Sequence, residues 1–391
     1  MKHFFYTTFL LFLSLNVFSQ RFHWALPIGN GYLETVQGLA SDREGNVYSA
    51  ISYYDEITVG TYTVPPDSGF IIIKQDKNGR VIYAKGMASQ TVGAGAIDVD
   101  DNGNIFIAGG FVIGSIAGKT LQKTDGAGSS GGNLFIACFD SSLNLVFLQE
   151  IRSKLRITLH DMKVDAAGNV YVCGEFIDSI SFSGIESRES GLPYWPEMFI
   201  AKYHKNGALD YVITSEVQSN RTAGALAWSV DADTLGNVYA AGTFYQGAVK
   251  IGSTTLVSDN FSEDGSGGQD LFLLKADSGG NIEWIKHGKG FAASFGPDSD
   301  LQIAVTPGGD CYLHAAISSK YIDTTAFMGD TVGYTAGLHI YKLSTGGDLL
   351  WSLNGGGFSV DEYLGDIAVD EFGNSYHIGT YISSANDMPI F

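Results

Sequence analysis

An apolar strand, then Asp-x-x-Gly-Asn, then an aromatic strand recurs six times along the chain. An internal repeat of this length constrains the fold more than any single residue does. The copies are Asp42 to Asn46, Asp100 to Asn104, Asp165 to Asn169, Asp233 to Asn237, Thr306 to Asp310 and Asp370 to Asn374. Their glycines, at 45, 103, 168, 236, 309 and 373, are 58 to 73 residues apart. The fifth copy is degraded, with Thr306 for Asp and Asp310 for Asn. A second strand pair follows each of the first five copies, reading Phe-Ile-x-Lys-x-Asp-x-x-Gly and then an aromatic strand, as in Phe70 to Gly79, Phe199 to Gly207 and Phe272 to Gly280.

The unit is therefore four strands, a to d. Asp-x-x-Gly is hairpin chemistry: Asp accepts backbone N–H groups a few residues on, and Gly supplies the positive φ that restarts the ladder. In an up-and-down sheet the a–b and c–d turns share one face. The b–c and d–a connections share the other, and the b–c segments (51–69, 112–133, 177–197, 245–270 and 317–337) read as long and irregular. A four-stranded antiparallel unit repeated six times predicts an all-β chain, a six-bladed β-propeller. Blades are expected at about 36–86, 94–151, 159–216, 226–288, 300–355, and 363–391 together with 22–29. The N-terminal strand then joins the C-terminal blade and closes the ring, which removes exposed sheet edges. About 62 residues per blade, against ~40–45 for a compact one, assigns the surplus to the irregular loops.

Composition agrees. Gly is 50 of 391 residues, Pro only 8, charged residues 17% and aromatics 13%, which excludes a disordered chain. The net charge of -19 repels phosphate backbones and anionic lipid, so neither nucleic acid nor a membrane surface is an expected partner. Lys2 and His3, the apolar run Phe4–Val17 and the small residues Val17 and Ser19 read as a secretory signal peptide over 1–19. The run is too short for a membrane span. Residues 20–391 are then a secreted or cell-surface propeller, expected to be monomeric. Three cysteines (Cys138, Cys173, Cys311), each within an apolar strand, read as small buried hydrophobes rather than a disulfide framework.

The cleanest copies are Val164 to Phe176, Asp231 to Phe244 and Phe272 to Trp284. Their pattern resembles the SBBP-type β-propeller repeats of secreted bacterial proteins and covers essentially all of 22–391. The resemblance implies the fold and export, and carries no common catalytic residues. It also implies that the protein continues past Phe391, where Pro389 interrupts a final strand c, into further blades or a sorting domain of the kind such Bacteroidota proteins carry.

No catalytic constellation stands out. Gly126 to Gly131 is a formal G-x-G-x-x-G and Gly128 to Gly132 a formal esterase elbow, but both lie in a Gly/Ser loop of an all-β chain, without the strand–helix context either needs. The histidines are scattered, without metal-ligand spacing, and no cofactor is expected. The Asp-x-Asp runs at Asp98, Asp100 and Asp101 and at Asp231 and Asp233 hint at calcium but mostly sit at turn Asp positions; loop 259–270, with Asp259, Glu263, Asp264 and Asp270, is a looser candidate that lacks the EF-hand glycine and the terminal glutamate. The strand-c lysines, Lys74, Lys202, Lys275 and Lys342, recur with the fold and are expected to pair with the next blade. Aromatics outside the repeat, Tyr194 and Trp195 in a b–c loop and Trp228 in a strand a, suit a sugar ring or an extended peptide. Strand a lines the channel and brings His160, Asp161 and Asp366 to it, with Asp98, Lys163 and Asp231. The leading expectation is a non-enzymatic module that binds a glycan or protein through its long-loop face. The alternatives are a hydrolase or lyase using acidic residues at the channel mouth, and an architectural spacer in a larger surface protein.

Overall fold

The computed structural model describes residues 28, 35–66, 69–123, 132–183, 186–189, 195–218, 223–245, 247–258, 269–289, 301–317, 326–327, 330–331, 337–354, 363–370 and 372–380. All regular structure among them is strand, and no helix is long and apolar enough to cross a membrane. The signal-peptide segment, the N-terminal strand before Ile28 and the final strand c lie outside the described residues.

Five four-stranded antiparallel units follow one another in the order a-b-c-d. The first is Thr35–Ser41, Val47–Tyr53, Gly69–Gln75 and Val81–Gly86. The second is Ala88–Val99, Ile105–Ile116, Asn133–Phe139 and Leu145–Arg152. The third is Arg156–Val164, Val170–Ile177, Glu197–Tyr203 and Leu209–Val217. The fourth is Gly224–Ala232, Val238–Tyr245, Gln269–Ala276 and Ile282–Lys289. The fifth is Leu301–Val305, Cys311–Ile317, Gly337–Leu343 and Leu349–Asn354. Strands a and b of a sixth, Tyr363–Val369 and Ser375–Thr380, pair with each other.

The repeated turn has a fuller chemistry than hairpin geometry requires. Asp165 Oδ1 accepts the N–H groups of Ala167 and Asn169, both at 2.9 Å. Its Oδ2 accepts the Asn169 amide at 2.8 Å and the Tyr171 hydroxyl at 3.0 Å. The Asn of the motif is thus a donor to its own Asp, and the aromatic of strand b a second one. Gly168 sits at φ +84°, where a Cβ is strained. In the degraded fifth copy Thr306 Oγ1 accepts only the Asp310 N–H, at 3.0 Å.

Consecutive sheets stack face to face. One cluster, with Phe70 and Ile72 against Ile107 and Phe135, lies between units one and two; equivalent clusters fill the next three junctions. Burial on both faces explains runs such as Phe70-Ile71-Ile72-Ile73 that do not alternate. Polar latches recur at the same junctions. The strand-b tyrosine donates to a turn carbonyl of the next unit: Tyr171 to Gly236 at 3.2 Å, Tyr239 to Gly309 at 2.9 Å and Tyr312 to Gly373 at 2.6 Å. The strand-c lysines Lys202 and Lys275 reach the next unit's c–d turn, at Ser278 O (2.7 Å) and Thr345 O (3.3 Å).

The expectation of irregular b–c loops needs correction. Ser179–Phe182 and Glu186–Glu189 form a hairpin that pairs with strand d of unit two. Ala248–Ile251 and Thr254–Val257 do the same for unit three, and Ala326–Phe327 with Asp330–Thr331 for unit four. Strand d is the outer edge of each sheet, and an unpaired edge is a template for unwanted pairing. Much of the surplus length is therefore an edge cover that ties units three, four and five to the one before.

All three cysteines are free and buried. Burial pushes the Cys138 thiol up to about 12 and raises Cys173 and Cys311 as well, so none is a reactive thiolate near neutral pH.

His314 lies at the fifth junction, 2% exposed, its ring edge-on to His377 at 5.0 Å. Burial, and then the His377 charge, lower its pKa from 6.5 to about 4. The folded chain thus prefers the neutral ring, and the unfolded chain takes up the proton first as pH falls. Stability present above pH 6.5 is lost between 6.5 and about 4, by on the order of 3 kcal/mol. Denaturant titrations at pH 7 and pH 4.5 should show this loss and show it shrink in His314→Leu; an equal loss in both proteins rules out His314 as the group responsible.

Candidate functional site

Strand a of the five four-stranded units and of the two-stranded sixth lines one cavity of about 670 Å³. The carboxylates expected there are present, but most are engaged by the neighbouring unit. Asp98 Oδ2 accepts the Val164 N–H at 2.8 Å, and Asp231 Oδ2 the Val305 N–H at 2.7 Å. Asp161 Oδ2 accepts both the Val230 N–H and the Ser229 hydroxyl at 2.9 Å, while its Oδ1 accepts the Met162 N–H at 2.7 Å. Each of these side chains therefore fastens one strand a to the next. Asp366 also lines the cavity, and its Oδ1 accepts the Ile367 N–H at 2.8 Å.

Burial pushes Asp161 up to about 7, against the pull of the N–H and hydroxyl donors around it. Burial likewise raises Asp231, and the Lys163 charge opposes that rise. Lys163 stands among these carboxylates, its Nζ 3.9 Å from Asp98, and the charges of Asp231 and then Asp98 raise its pKa. Its side chain is 46% exposed to the cavity, so cavity water screens these charges. A carboxyl that titrates near neutrality in a cavity is a general-acid candidate. Here the shift comes from burial, and both oxygens already hold donors.

A β-bulge interrupts strand a at one repeated position, five residues before the turn Asp. The bulged residues include His160 and Trp228. His160 stacks on Trp228 (centroids 4.2 Å, planes 10° apart), and its Nδ1–H donates to the Ala227 carbonyl at 2.9 Å. The Trp228 indole N–H donates to Thr243 Oγ1 at 3.0 Å, and the ring packs against the core between units four and five. Trp228 is thus half-buried, with one ring face covered by His160, and the expectation of an open platform there is corrected. Burial lowers the His160 pKa, so the ring is neutral at neutral pH.

The second tryptophan marks a different place. Trp195 lies two residues before Glu197, which pairs with Phe176, so it sits at the b–c end of unit three. Its ring meets Tyr245 of unit four edge-on, at 6.4 Å. Burial raises the Tyr245 pKa, and the Glu175 charge raises it further. Glu175 is 5% exposed. Its Oε1 accepts from Arg156 Nη2 at 2.6 Å and from the Thr158 hydroxyl at 3.4 Å, while its Oε2 is buried without a partner among the described residues. Both His160 and Tyr245 feel the Arg156 and Glu175 charges.

Arg156, Glu175 and Tyr245 do not stand out in single-sequence reading. One signal could have found Glu175: the equivalent places in units one, two, four and five hold Ser52, Gly110, Thr243 and Ala316.

Tyr194, Asp259, Glu263 and Asp264 lie outside the described residues. Asp270, the last member of the calcium candidate, is buried in strand c of unit four, 3.4 Å from His287 Nε2. Among the described residues, no group of three or more His, Cys, Asp or Glu could hold a metal ion.

No family model matches this chain, and no curated protein matches it. Solved structures with some likeness include a protein of unknown function from Dyadobacter fermentans DSM 18053 (11% identity over 85% of this chain and 86% of that one, TM-score 0.42). Rhamnogalacturonan lyase YesW is 9% identical over 90% and 82% of the two chains, with TM-score 0.25. The extracellular domain of a B. thetaiotaomicron two component system is 11% identical over 89% of this chain and 59% of that one, with TM-score 0.20. These likenesses are too distant to bear on function.

Proposed function

We propose that this chain is an exported, non-catalytic binding module of the SBBP type, folded as a six-bladed β-propeller. Its face opposite the tight turns takes an extracellular glycan or protein. The observation behind this reading is the gathering at one junction of Trp195, Arg156 and Glu175 of unit three, which depart from the repeat, beside Tyr245 of unit four. Function on a repeat scaffold is expected where the repeat is broken, because the remaining positions are held by packing.

Ring closure has its own support. Ile28 packs against the unit-one cluster that includes Ile57, Val59 and Val64, where the lone N-terminal strand is expected to run. Leu39 and Tyr376 are 67% and 61% exposed, although their equivalents elsewhere are buried. Units one and six thus carry the two faces that a ring brings together. A hydrolase or lyase in the cavity is the weaker reading, since Asp98, Asp161 and Asp231 are occupied by inter-unit hydrogen bonds.

The test is Trp195→Ala against the parent protein on a glycan array and in pull-downs from extracellular material. Trp195 is half-buried at the rim, so the variant is expected to keep its fold and lose at least about tenfold in affinity, the scale of an aromatic contact. Unchanged binding would remove this face from consideration.

A further inference from the structure

Glu175 is an anomaly in a repeat whose other units place small or uncharged residues at the same point. A buried carboxylate with one oxygen unpartnered destabilises a fold relative to Ser, Gly or Thr. Packing therefore gives no reason for it. Arg156, which bonds its other oxygen, has a side chain 47% in solvent and uses one Nη on Glu175. An unsatisfied acceptor thus lies beside a guanidinium with further N–H groups to give. Tyr245 feels the charges of both, and Trp195 meets Tyr245 edge-on.

We infer that this pair, with the Trp195–Tyr245 edge, is a subsite for a neutral sugar ring, an assignment that rests on the binding-module reading above. Charge decides the ligand class. A cation drawn to Glu175 meets Arg156 beside it. An anion drawn to Arg156 meets Glu175 and a chain of net charge -19. A hydroxyl carries no charge, donates to the carboxylate oxygen and accepts from the guanidinium. Neighbouring hydroxyls on one ring meet both groups at once. The C–H face of the same ring packs on an aromatic surface. Oε2 is buried in the free protein, so the side chains over it shift on binding.

The experiment uses the full mature chain on arrays of neutral hexose oligosaccharides and of uronate-bearing or sulfated oligosaccharides. Pull-downs from extracellular protein run in parallel. Binding to neutral members is expected, with the acidic ones much weaker. Glu175→Gln, which keeps the shape and removes the charge, should weaken neutral-glycan binding about tenfold or more, the worth of one charged hydrogen bond. It should also leave the thermal midpoint unchanged or raised. Arg156→Ala, at a half-exposed site, provides a second variant with the same expected loss. Preference for acidic glycans, capture of protein alone, or neutral-glycan binding insensitive to both substitutions overturns the sugar subsite and leaves the binding-module reading standing. Absence of any ligand in both assays overturns both.

Discussion

Gly242→Ala is expected to destabilise the protein by about 3 kcal/mol or more, among the largest effects of any single methyl group in the chain. A Cβ at Gly242 would lie 2.2 Å from the Leu226 carbonyl oxygen and 2.3 Å from the Phe272 ring. The first neighbour is backbone and cannot rotate away. The second is a fully buried ring held in the core between units three and four. Strand a passes close to Gly242 just before its bulge, where the register shifts between Ala227 and Ser229; unit one has the same bulge opposite Ile51, so the bulge alone does not demand glycine. Gly174 is in the same position, with a Cβ 2.0 Å from Thr158 O. Ile51 and Ala315 hold the equivalent place in units one and five. The demand is therefore local to how closely strand a passes, and Ala at Gly242 tests that closeness. Equilibrium denaturation of Gly242→Ala is the measurement. A loss under about 1 kcal/mol would mean that strand a and the Phe272 ring move aside freely.

Asp165→Ala is expected to cost a similar amount, about 3 kcal/mol, because four donors lose one acceptor. Two are backbone N–H groups, one is the Asn169 amide, and one is the Tyr171 hydroxyl in the buried junction with unit four. Tyr171 also holds Gly236 O of that next unit, so the loss spreads across the junction. Asp140 makes the same turn contacts in an exposed c–d turn, without a tyrosine. Asp140→Ala should leave the unfolding midpoint nearly unchanged. Equal effects at Asp140 and Asp165 would show that the turn alone, and not its link to the next unit, carries the stabilisation.

The strands were legible because their signals are local. Asp-x-x-Gly-Asn and the apolar runs around it act over fewer than ten residues, and strand boundaries follow them closely in five units. The strand-c lysines were legible for a related reason. A charge that recurs with the fold is expected to meet a partner that recurs too. That holds for Lys202 and Lys275, which meet the next unit's turn; Lys74 and Lys342 instead pair with Asp42 and Asp310 of their own units, which corrects the expectation for them.

The cavity was only half legible. Its lining residues follow from strand a facing the centre. Their engagement does not, because Asp98 and Val164, or Asp161 and Val230, are more than sixty residues apart and meet only through the stacking of sheets. The same holds for Trp228. Its place outside the repeat pattern marked it for an exposed role, while the tertiary structure gave its ring face to His160 and its N–H to Thr243.

By itself the sequence determined an all-β chain of repeated four-stranded units, the turn chemistry joining their strands, and the burial of the cysteines. Each follows from residue periodicity and short-range hydrogen bonding. Only the tertiary structure decided that the b–c segments cover sheet edges, that the cavity carboxylates act as inter-unit fasteners, and that Arg156, Glu175, Trp195 and Tyr245 share one junction. These are contacts between units, and their geometry comes from the angle at which one twisted sheet packs on the next. No local pattern encodes that angle.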